Sequence, residues 1–151
     1  MNERVEPGSR GDNVRVTGAT RQQVAALCFR GKGKDREVLL ITSRDTGRWV
    51  LPKGWPIDGL DDAQSALQEA WEEAGVRKAR VDQTPLGHYH YDKRLSGGTG
   101  LPVKVDVYAA RVEKLKDDFP EMRERKRKWI SAAKAAKMVD EPELRAMLSA
   151  F

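Results

Sequence analysis

The sequence is poor in cysteine and in long apolar runs, and each shortage excludes a class of protein. Its only cysteine, Cys28, cannot form an internal disulfide and is typical of a protein from a reducing compartment. No apolar run approaches the roughly 20 residues that a transmembrane helix requires, so we expect no membrane association. Residues 1–13 (MNERVEPGSRGDN) contain no apolar signal-peptide core. These observations predict a cytoplasmic protein.

Aromatic residues are also few, at 7%, whereas charged residues make up 34% and hydrophobic residues 39% of the chain. This composition is typical of a folded domain, and 151 residues suffice for one domain with its own core. We expect residues 1–13 to be a flexible segment and residues 14–151 to form the domain. The net charge of +5 favours an anionic partner, either a nucleic acid or a phosphorylated small molecule. A solubilising surface is the alternative, because 23 acidic residues are interspersed with 28 basic ones.

Short apolar and alternating segments predict several β-strands. Residues 24–29 (VAALCF) and 37–43 (EVLLITS) flank a glycine-containing turn and predict a hairpin. Residues 103–112 alternate between polar and apolar side chains, residues 76–94 contain further strand-like segments, and residues 126–130 predict a last strand. Helical patterns lie between some of these strands, which predicts an α/β or α+β sandwich.

One predicted helix, between Asp61 and Gly75, has clear signals at both ends. Asp61 followed by Gln64 is a capping-box pattern, and Gly75 suits the left-handed residue that follows a last turn. Small and apolar residues at helical spacing predict its buried face. At 3.6 residues per turn, an acidic face lies about 140° from that apolar stripe. It consists of Glu69, Glu72 and Glu73. Because acids this close repel one another, we expect the fold to give them a cation.

The expected cation is a hard divalent metal, because carboxylate oxygens favour magnesium or manganese over softer ions. Residues 51–60, just before the helix, hold two prolines and two glycines and can offer backbone carbonyl groups as further ligands. A metal bound there would contact substrate phosphate, and a free carboxylate could accept a proton from an attacking water. Without this loop, a solvated acidic helix face would be the simpler interpretation.

Two further segments are candidates for binding sites. His88 and His90 alternate with two tyrosines, as on the two faces of a strand. Their spacing allows a pair of metal ligands, but no third ligand lies nearby in the sequence, which favours histidines on a half-exposed strand. Residues 123–128 (RERKRK) contain five bases and could contact nucleic acid. Only Trp129 adds an aromatic ring there, and no repeat continues the cluster.

The segment from Gly54 to Val76 resembles the Nudix box, whose pattern is G-x5-E-x7-R-E-U-x-E-E-x-G-U, with U a bulky aliphatic residue. The glycine spacing, the E-x-x-E-E core and the final Gly-aliphatic pair all agree with this pattern. Two positions depart from it together, because Leu60 replaces a glutamate and Gln68 replaces an arginine. In the family these two side chains are thought to support the box by charge interactions. The resemblance implies a Nudix α/β/α sandwich with a mixed sheet.

A wider similarity, over about residues 22–140, is to the diphosphoinositol-polyphosphate and diadenosine-polyphosphate hydrolase branch of that family. It is carried by the segments VAALCFR, EVLLITSRDTGRWVLPKG and RKRKWI. This resemblance implies cleavage of a phosphoanhydride bond with magnesium, or alternatively manganese, as the cofactor. The metal ligands that it implies are the carboxylates of Glu69, Glu73 and Glu72 and the backbone carbonyl of Lys53.

The same resemblance implies catalytic and substrate-binding residues. The catalytic residues are Glu69, Glu72 as a general base, and a late acidic residue, for which Glu124 is the first candidate and Glu121 the second. The substrate-binding residues are Ser43, Arg44, Lys53, Lys104, Arg125 and Arg127. The planar fork of arginine suits phosphate groups. If residues 126–130 form a strand, Arg125, Arg127 and Trp129 would share one face.

The expected activity is metal-dependent hydrolysis of an anionic, polyphosphorylated small molecule by water attack on phosphorus. Diadenosine polyphosphates and diphosphoinositol polyphosphates are the implied substrate classes. The positive charge keeps RNA open as a partner, so removal of pyrophosphate from an RNA 5′ end is a second hypothesis. A non-catalytic protein that binds nucleotide or RNA is a third, because Leu60 and Gln68 depart from the box. The sequence does not predict the oligomeric state.

Overall fold

The fold is described here from a computed structural model, which covers residues 2–3, 14–17, 20–95 and 97–151. Its strands in chain order are β1 (Asn2–Glu3), β2 (Val14–Thr17), β3 (Thr20–Arg30), β4 (Glu37–Thr42), β5 (Trp49–Val50), β6 (Lys53–Gly54), β7 (Val76–Val81), β8 (Gly87–Arg94), β9 (Gly100–Leu115) and β10 (Arg127–Ser131). Its helices are α1 (Asp62–Ala74), α2 (Ala132–Ala135) and α3 (Pro142–Ala150). Apart from β1, the segment predicted to be flexible (residues 1–13) lies outside the described residues. No described helix is long and apolar enough to cross a membrane.

A mixed sheet forms the centre of the fold. Strands β3 and β9 run parallel, in register from the pair Arg21–Val103 to the pair Phe29–Arg111. Strand β4 pairs antiparallel with β3 and with β10, and both β7 and β8 pair antiparallel with β9. The β3–β4 pairing confirms the predicted hairpin, and the combination of parallel and antiparallel pairs confirms the predicted mixed sheet.

Helices cover both faces of this sheet, because its central strands bury side chains on both sides. On one face, the alanines of α1 pack against a cluster that includes Val24, Cys28 and Ile41. On the other face, Leu144 and Leu148 of α3 and the alanines of α2 pack against a second cluster from the same strands. This arrangement confirms the predicted α/β/α sandwich.

Both sequence signals at the ends of α1 are confirmed. The side chain of Asp61 accepts a hydrogen bond from the backbone N–H of Gln64 at 2.8 Å, and the Gln64 side chain accepts one from the backbone of Asp61 at 3.0 Å. Gly75 adopts a left-handed conformation with φ of 77°, and its N–H donates to the carbonyl of Trp71. The capping box and the glycine therefore fix where the acidic helix begins and ends.

Helix α3 begins differently from its sequence pattern. Asp140 followed by Glu143 predicts a second capping box. The structure instead starts α3 at Pro142, and no side chain caps it. The carboxylate of Glu143 accepts a hydrogen bond from the backbone N–H of His90, at 2.7 Å. The predicted capping pair is wrong, because the carboxylate of Glu143 binds the backbone of β8 instead of the start of α3.

Cys28 lies in the middle of β3 and is completely buried. Burial raises the pKa of its thiol to about 12. Since only the thiolate is nucleophilic, this cysteine is inert near neutral pH, in agreement with a structural rather than a catalytic thiol.

Candidate active site

A cavity of about 320 Å³ lies beside α1, next to the turn after β4 and the loop that carries β6. Its volume is in the range of small-molecule sites. The acidic side chains that line it are Asp45, Glu69, Glu73 and Glu121. The basic side chains that line it are Arg44, Lys53, Lys93 and Arg125. One cavity therefore combines groups that can hold a cation with groups that can hold an anion.

Glu69 is almost completely buried, with 1% of its surface exposed, and its carboxylate lies against the backbone of Gly54. A Cβ atom at position 54 would be 2.5 Å from Cδ of Glu69 and 2.6 Å from its Oε1. Packed atoms do not approach this closely, so a larger residue at position 54 would force the carboxylate to shift. The glycine at the start of the Nudix-like pattern thus places Glu69 directly against the loop.

Glu73 lies one turn further along α1 and is also buried, with 6% exposed. Its Oε1 accepts a hydrogen bond from the backbone N–H of Lys53 at 3.4 Å and lies 3.6 Å from Nη2 of Arg125. Burial raises the pKa of this carboxyl group, whereas a hydrogen bond with Glu69 and the charges of Arg125 and Lys53 act in the opposite direction. A bound cation would further favour the ionised form.

This set of donors fits a hard divalent cation. Glu69 and Glu73 direct two buried carboxylates to one cavity, and the loop at Lys53 and Gly54 touches both. Among the described residues, no histidine or cysteine lines the cavity, so its potential ligands are oxygen atoms. Oxygen donors are what magnesium and manganese prefer, and neighbouring buried carboxylates require positive charge to offset their desolvation.

Arg125 forms a fixed part of the cavity wall, with only 9% of its side chain exposed. Its Nε donates to Glu121 at 2.8 Å, and its Nη1 donates to the carbonyl of Thr42 at 3.0 Å. Glu121 is itself tied to α1, because its backbone N–H donates to the carbonyl of Glu72 at 2.9 Å. These bonds hold the guanidinium beside Glu73 at the cavity, where it can meet a phosphate group.

Lys53 contributes a second cation to the cavity. Its Nζ lies 5.0 Å from the centre of the Tyr91 ring. Burial lowers the pKa of Lys53 to about 8, although the charge of Glu73 acts in the opposite direction. The amine therefore stays mostly protonated at pH 7, and a bound phosphate would stabilise that charge further.

The chain that forms this cavity is similar to proteins of known family. Residues 19–151 match the family model described as NUDIX domain. The chain belongs to the Nudix family. It is 32% identical to Nudix hydrolase 21, chloroplastic, of Arabidopsis thaliana over 144 residues, which cover 89% of this chain and 68% of the relative. These findings confirm the prediction of a Nudix pyrophosphohydrolase, and Nudix hydrolases generally depend on a divalent metal.

The chain is also similar to one protein named diphosphoinositol polyphosphate phosphohydrolase and to one solved Ap4A hydrolase structure. The chain is 29% identical to human diphosphoinositol polyphosphate phosphohydrolase 3-beta over 121 residues, covering 79% of this chain and 69% of the relative. The solved structure of a C. elegans Ap4A hydrolase binary complex aligns with a TM-score of 0.64 and 24% identity, covering 84% of this chain and 91% of that one. The structural likeness confirms the Nudix fold.

The structure brings part of the predicted site together. Within the described residues, the cavity lining includes six of the predicted side chains: Ser43, Arg44, Lys53, Glu69, Glu73 and Arg125. Four others do not reach this cavity: Glu72, Lys104, Glu124 and Arg127. Each of the four makes contacts elsewhere in the structure.

Arg127 lies at the C-terminal end of α1 and not at the cavity. Its Nη1 donates to the carbonyl of Ala74 at 2.8 Å and to that of Lys116 at 2.7 Å. Its guanidinium also lies 4.9 Å from the centre of the Phe119 ring. Strand β10 begins only at Arg127, so strand alternation does not bring Arg125 and Arg127 to the same place.

Lys104 and Glu124 are also displaced from the cavity. In the parallel pairing of β3 with β9, Lys104 lies beside Gln22, whereas the cavity residue Gln23 lies beside Val105. Neighbouring residues along a strand point to opposite faces, so Lys104 and Gln23 lie on opposite faces of the sheet. Lys104 does not line the cavity, and its Nζ lies 3.9 Å from Oδ1 of Asp106 on the same strand. Glu124 is exposed and pairs with Arg44 at 3.1 Å, and Glu121, the second candidate for the late acidic residue, is the one that lines the cavity.

Glu72 lies on the outer side of α1. Its Oε2 accepts a hydrogen bond from Nε2 of Gln68 at 2.8 Å. Gln68 thus replaces the arginine of the Nudix box with a neutral side chain that still binds a box glutamate. Leu60, the other departure from the box, is 37% exposed and lines a shallow groove together with Gln68 and Trp71.

Sequence reasoning missed Tyr91 and Lys93, which both line the cavity. The hydroxyl of Tyr91 donates to Oε1 of Gln23 at 2.6 Å and thereby joins β8 to β3. The pattern GHYHYDKR carried the signal, because alternation along β8 places Tyr89, Tyr91 and Lys93 on one face and the two histidines on the other.

Proposed function

We propose that this protein hydrolyses a phosphoanhydride bond in a diadenosine polyphosphate or a diphosphoinositol polyphosphate, with magnesium, or alternatively manganese, as its cofactor. The observation that carries this proposal is the arrangement of the cavity. Two buried carboxylates, Glu69 and Glu73, share it with the fixed cations Arg125 and Lys53. Carboxylates that can hold a metal thus lie beside bases that can hold a chain of phosphates.

The metal would be held by Glu69 and Glu73, with the backbone carbonyl of Lys53 as a further ligand. When bound, such an ion neutralises charge on phosphate oxygens and makes water a better nucleophile. Arg125 would bind a phosphate in the orientation that Glu121 and the carbonyl of Thr42 impose on its guanidinium. Ser43, Arg44, Lys53 and Lys93 would contact the other phosphates.

The proton of the attacking water needs an accepting carboxylate. Glu69 already lies in the cavity, whereas Glu72 is hydrogen-bonded to Gln68 on the outer side and would have to change rotamer to reach it. We therefore keep both as candidates for the general base and distinguish them by mutation. Loss of a general base lowers turnover by about 100-fold to 10,000-fold, so a loss of this size in Glu72→Gln would identify Glu72 as the base. Turnover near the wild-type value in Glu72→Gln would leave Glu69, whose replacement also removes a metal ligand.

The test of the metal site uses Glu69→Gln and Glu73→Gln, which keep the side-chain shape and remove the charge. We expect each to lower magnesium-dependent turnover by on the order of 100-fold or more. Glu113→Gln is the matched control, because this glutamate pairs with Lys78 and Arg80 on β7, outside the cavity lining. Turnover near the wild-type value in both cavity variants would exclude the proposed site.

The test of substrate class is a panel of compounds assayed with magnesium. It contains a dinucleoside polyphosphate, an inositol pyrophosphate, a nucleotide sugar, and capped and triphosphorylated RNA. We expect the first two to give the highest kcat/KM, because their phosphate chains can span the cations around the cavity. A preference for the nucleotide sugar would refute this substrate class.

RNA remains the second candidate because the basic segment is exposed. Arg123, Lys126 and Lys128 all face solvent, so they could contact a longer polyanion outside the cavity. A higher kcat/KM for triphosphorylated RNA would therefore favour RNA 5′-pyrophosphohydrolysis. A non-catalytic nucleotide-binding or RNA-binding protein would instead bind its ligand without metal-dependent turnover of any compound in the panel.

The predicted cytoplasmic location stays a proposal. Two relatives from Arabidopsis thaliana are named Nudix hydrolase 21, chloroplastic, and Nudix hydrolase 12, mitochondrial. Fractionation of cells that produce this protein, followed by detection with an antibody, would locate it.

A further inference from the structure

A second group of metal-ligating side chains lies outside the cavity. It consists of His88, His90 and Glu143, and their ligand atoms all lie within 4.8 Å of one another. The two histidines project from the same face of β8, opposite to the face that carries Tyr91 and Lys93 into the cavity. Glu143 comes from the first turn of α3, 53 residues after His90. The fold therefore supplies the third ligand that the neighbouring sequence lacks.

The carboxylate of Glu143 is held in place by β8 itself. Its Oε1 accepts a hydrogen bond from the backbone N–H of His90 at 2.7 Å. Nδ1 of the same histidine lies 2.9 Å from Oε1 and 3.2 Å from Oε2. The rings of His88 and His90 pack edge to face with their centres 5.4 Å apart. All three side chains thus converge before any ion binds.

We propose that His88, His90 and Glu143 form a second divalent-metal site, with zinc as its preferred ion. Two imidazoles and one carboxylate suit zinc, whereas the oxygen ligands of the cavity suit magnesium. Tetrahedral zinc with bonds of roughly 2.0–2.1 Å places neighbouring ligand atoms about 3.3 Å apart. The distance of 3.2 Å between Nδ1 of His90 and Oε2 of Glu143 is close to that value. Water would complete the coordination, because the three side chains are exposed.

This site would fasten α3 to the sheet. Leu144 and Leu148 of α3 are fully buried in the cluster that contains Tyr89, on the face of the sheet opposite to the two histidine rings. Glu143 precedes them in the first turn, and its contact with His90 is a direct polar link from α3 to β8. An ion shared by the histidines and Glu143 would strengthen that link. Because it would bind only the folded chain, zinc should raise the melting temperature.

The simpler interpretation is a plain ion pair between His90 and Glu143, with His88 beside it. That interpretation needs no ion and leaves His88 without a role. The chain contains only these two histidines, so any imidazole signal that changes on adding zinc must come from this cluster. This makes the proposal easy to test directly in the wild-type protein.

The experiment titrates zinc into the full-length protein by calorimetry, in buffer with excess magnesium to occupy the cavity. We expect one zinc ion per chain to bind. His88→Asn and Glu143→Gln should each weaken its affinity by about tenfold or more, as losses of ligand contacts do. The double variant Glu69→Gln/Glu73→Gln should still bind zinc at wild-type affinity, because it alters only the cavity. Glu113→Gln serves as a control for loss of an exposed carboxylate elsewhere.

Imidazole NMR of the wild-type protein provides a second measurement that does not depend on any variant folding. We expect the ring signals of both histidines to shift or broaden together at one equivalent of zinc. The proposal is overturned if these signals do not respond to zinc. It is also overturned if His88→Asn and Glu143→Gln bind zinc as tightly as the wild type, or if the cavity double variant abolishes the binding.

Discussion

The inner and outer sides of α1 differ in how firmly they hold their side chains. On the inner side, Glu69 and Glu73 are buried against Gly54 and the backbone of Lys53. On the outer side, Glu72 is half-buried and bonded to Gln68, and the groove beside it contains the exposed Leu60. Both departures from the Nudix box lie on this outer side. The inner acids are positioned by glycine, backbone and arginine contacts that do not involve Leu60 or Gln68.

Gly54→Ala should have the largest effect, because it disturbs the position of the inner acid Glu69. The added methyl group would overlap the carboxylate of Glu69 and force it to shift from its position against the loop. We expect turnover to fall by on the order of 100-fold, the cost of misplacing a catalytic group by about 1 Å. We also expect a loss of about 1–3 kcal/mol in unfolding free energy, as for other overpacked sites.

Gly100→Ala is the control for Gly54→Ala, because a Cβ there would make only an ordinary contact at 3.5 Å with Asp92. Steady-state kinetics and thermal unfolding of both variants provide the measurement. Equal turnover in the two variants would show that Glu69 does not depend on the glycine.

A somewhat smaller effect is expected for Arg125→Ala. Removing this buried guanidinium takes the arginine partner away from Glu73 and Glu121 and removes a proposed phosphate contact. We expect KM for a polyphosphate substrate to rise by roughly tenfold to 100-fold, the equivalent of one lost charged hydrogen bond. Arg125→Lys should recover only part of this loss, since lysine lacks the planar fork. An unchanged KM in both variants would remove Arg125 from the substrate site.

Arg127→Ala tests whether a base outside the cavity affects stability rather than substrate binding. Its guanidinium binds two backbone carbonyl groups at the end of α1, so its loss should cost about 1–3 kcal/mol in unfolding free energy. Because it does not line the cavity, KM should stay within about twofold of the wild-type value. Urea unfolding and substrate titration separate the two effects. A rise in KM like that of Arg125→Ala would restore the substrate role predicted from the sequence.

The smallest effect is expected on the outer side, for the double substitution Leu60→Glu/Gln68→Arg. It restores the charged pair of the Nudix box at a position where solvent reaches the side chains. Exposed ion pairs contribute about 0–1 kcal/mol, so stability should change little. Turnover should stay within a few-fold of the wild type, as measured by steady-state kinetics. An increase in turnover of more than tenfold would show that residues on the outer side help to position Glu69 and Glu73.

Local signals in the sequence predict the helix and its acids well. Asp61, Gln64 and Gly75 act within one turn of α1, so neighbouring residues are enough to locate its ends. The hairpin of β3 with β4 is similarly local. The glycine at position 54 belongs to a recognisable spacing, but its contact with Glu69 is known only from the structure.

Roles that depend on long-range pairing could not be predicted. Glu121 lines the cavity and Glu124 does not, and the backbone bond from Glu121 to α1 that accompanies this position is not revealed by the sequence. The orientation of Lys104 depends on the parallel register of β9 against β3. Likewise, Glu143 meets the histidines of β8 only because α3 docks on that strand. In each case the deciding contact joins residues that are far apart in the chain.

The parallel pairing of β3 with β9 also has a consequence for how the protein opens. Residues 24–28 are fully buried and paired with β9, and on the other side of β3 the N–H of Ala26 donates to the carbonyl of Pro52 at 3.0 Å. Their amide protons should exchange with deuterium only when the entire domain unfolds. The exposed turn at residues 44–47, which carries Arg44 and Asp45, should exchange far sooner. The centre of the sheet should therefore exchange slowly, while the turn that carries two residues of the cavity lining exchanges fast.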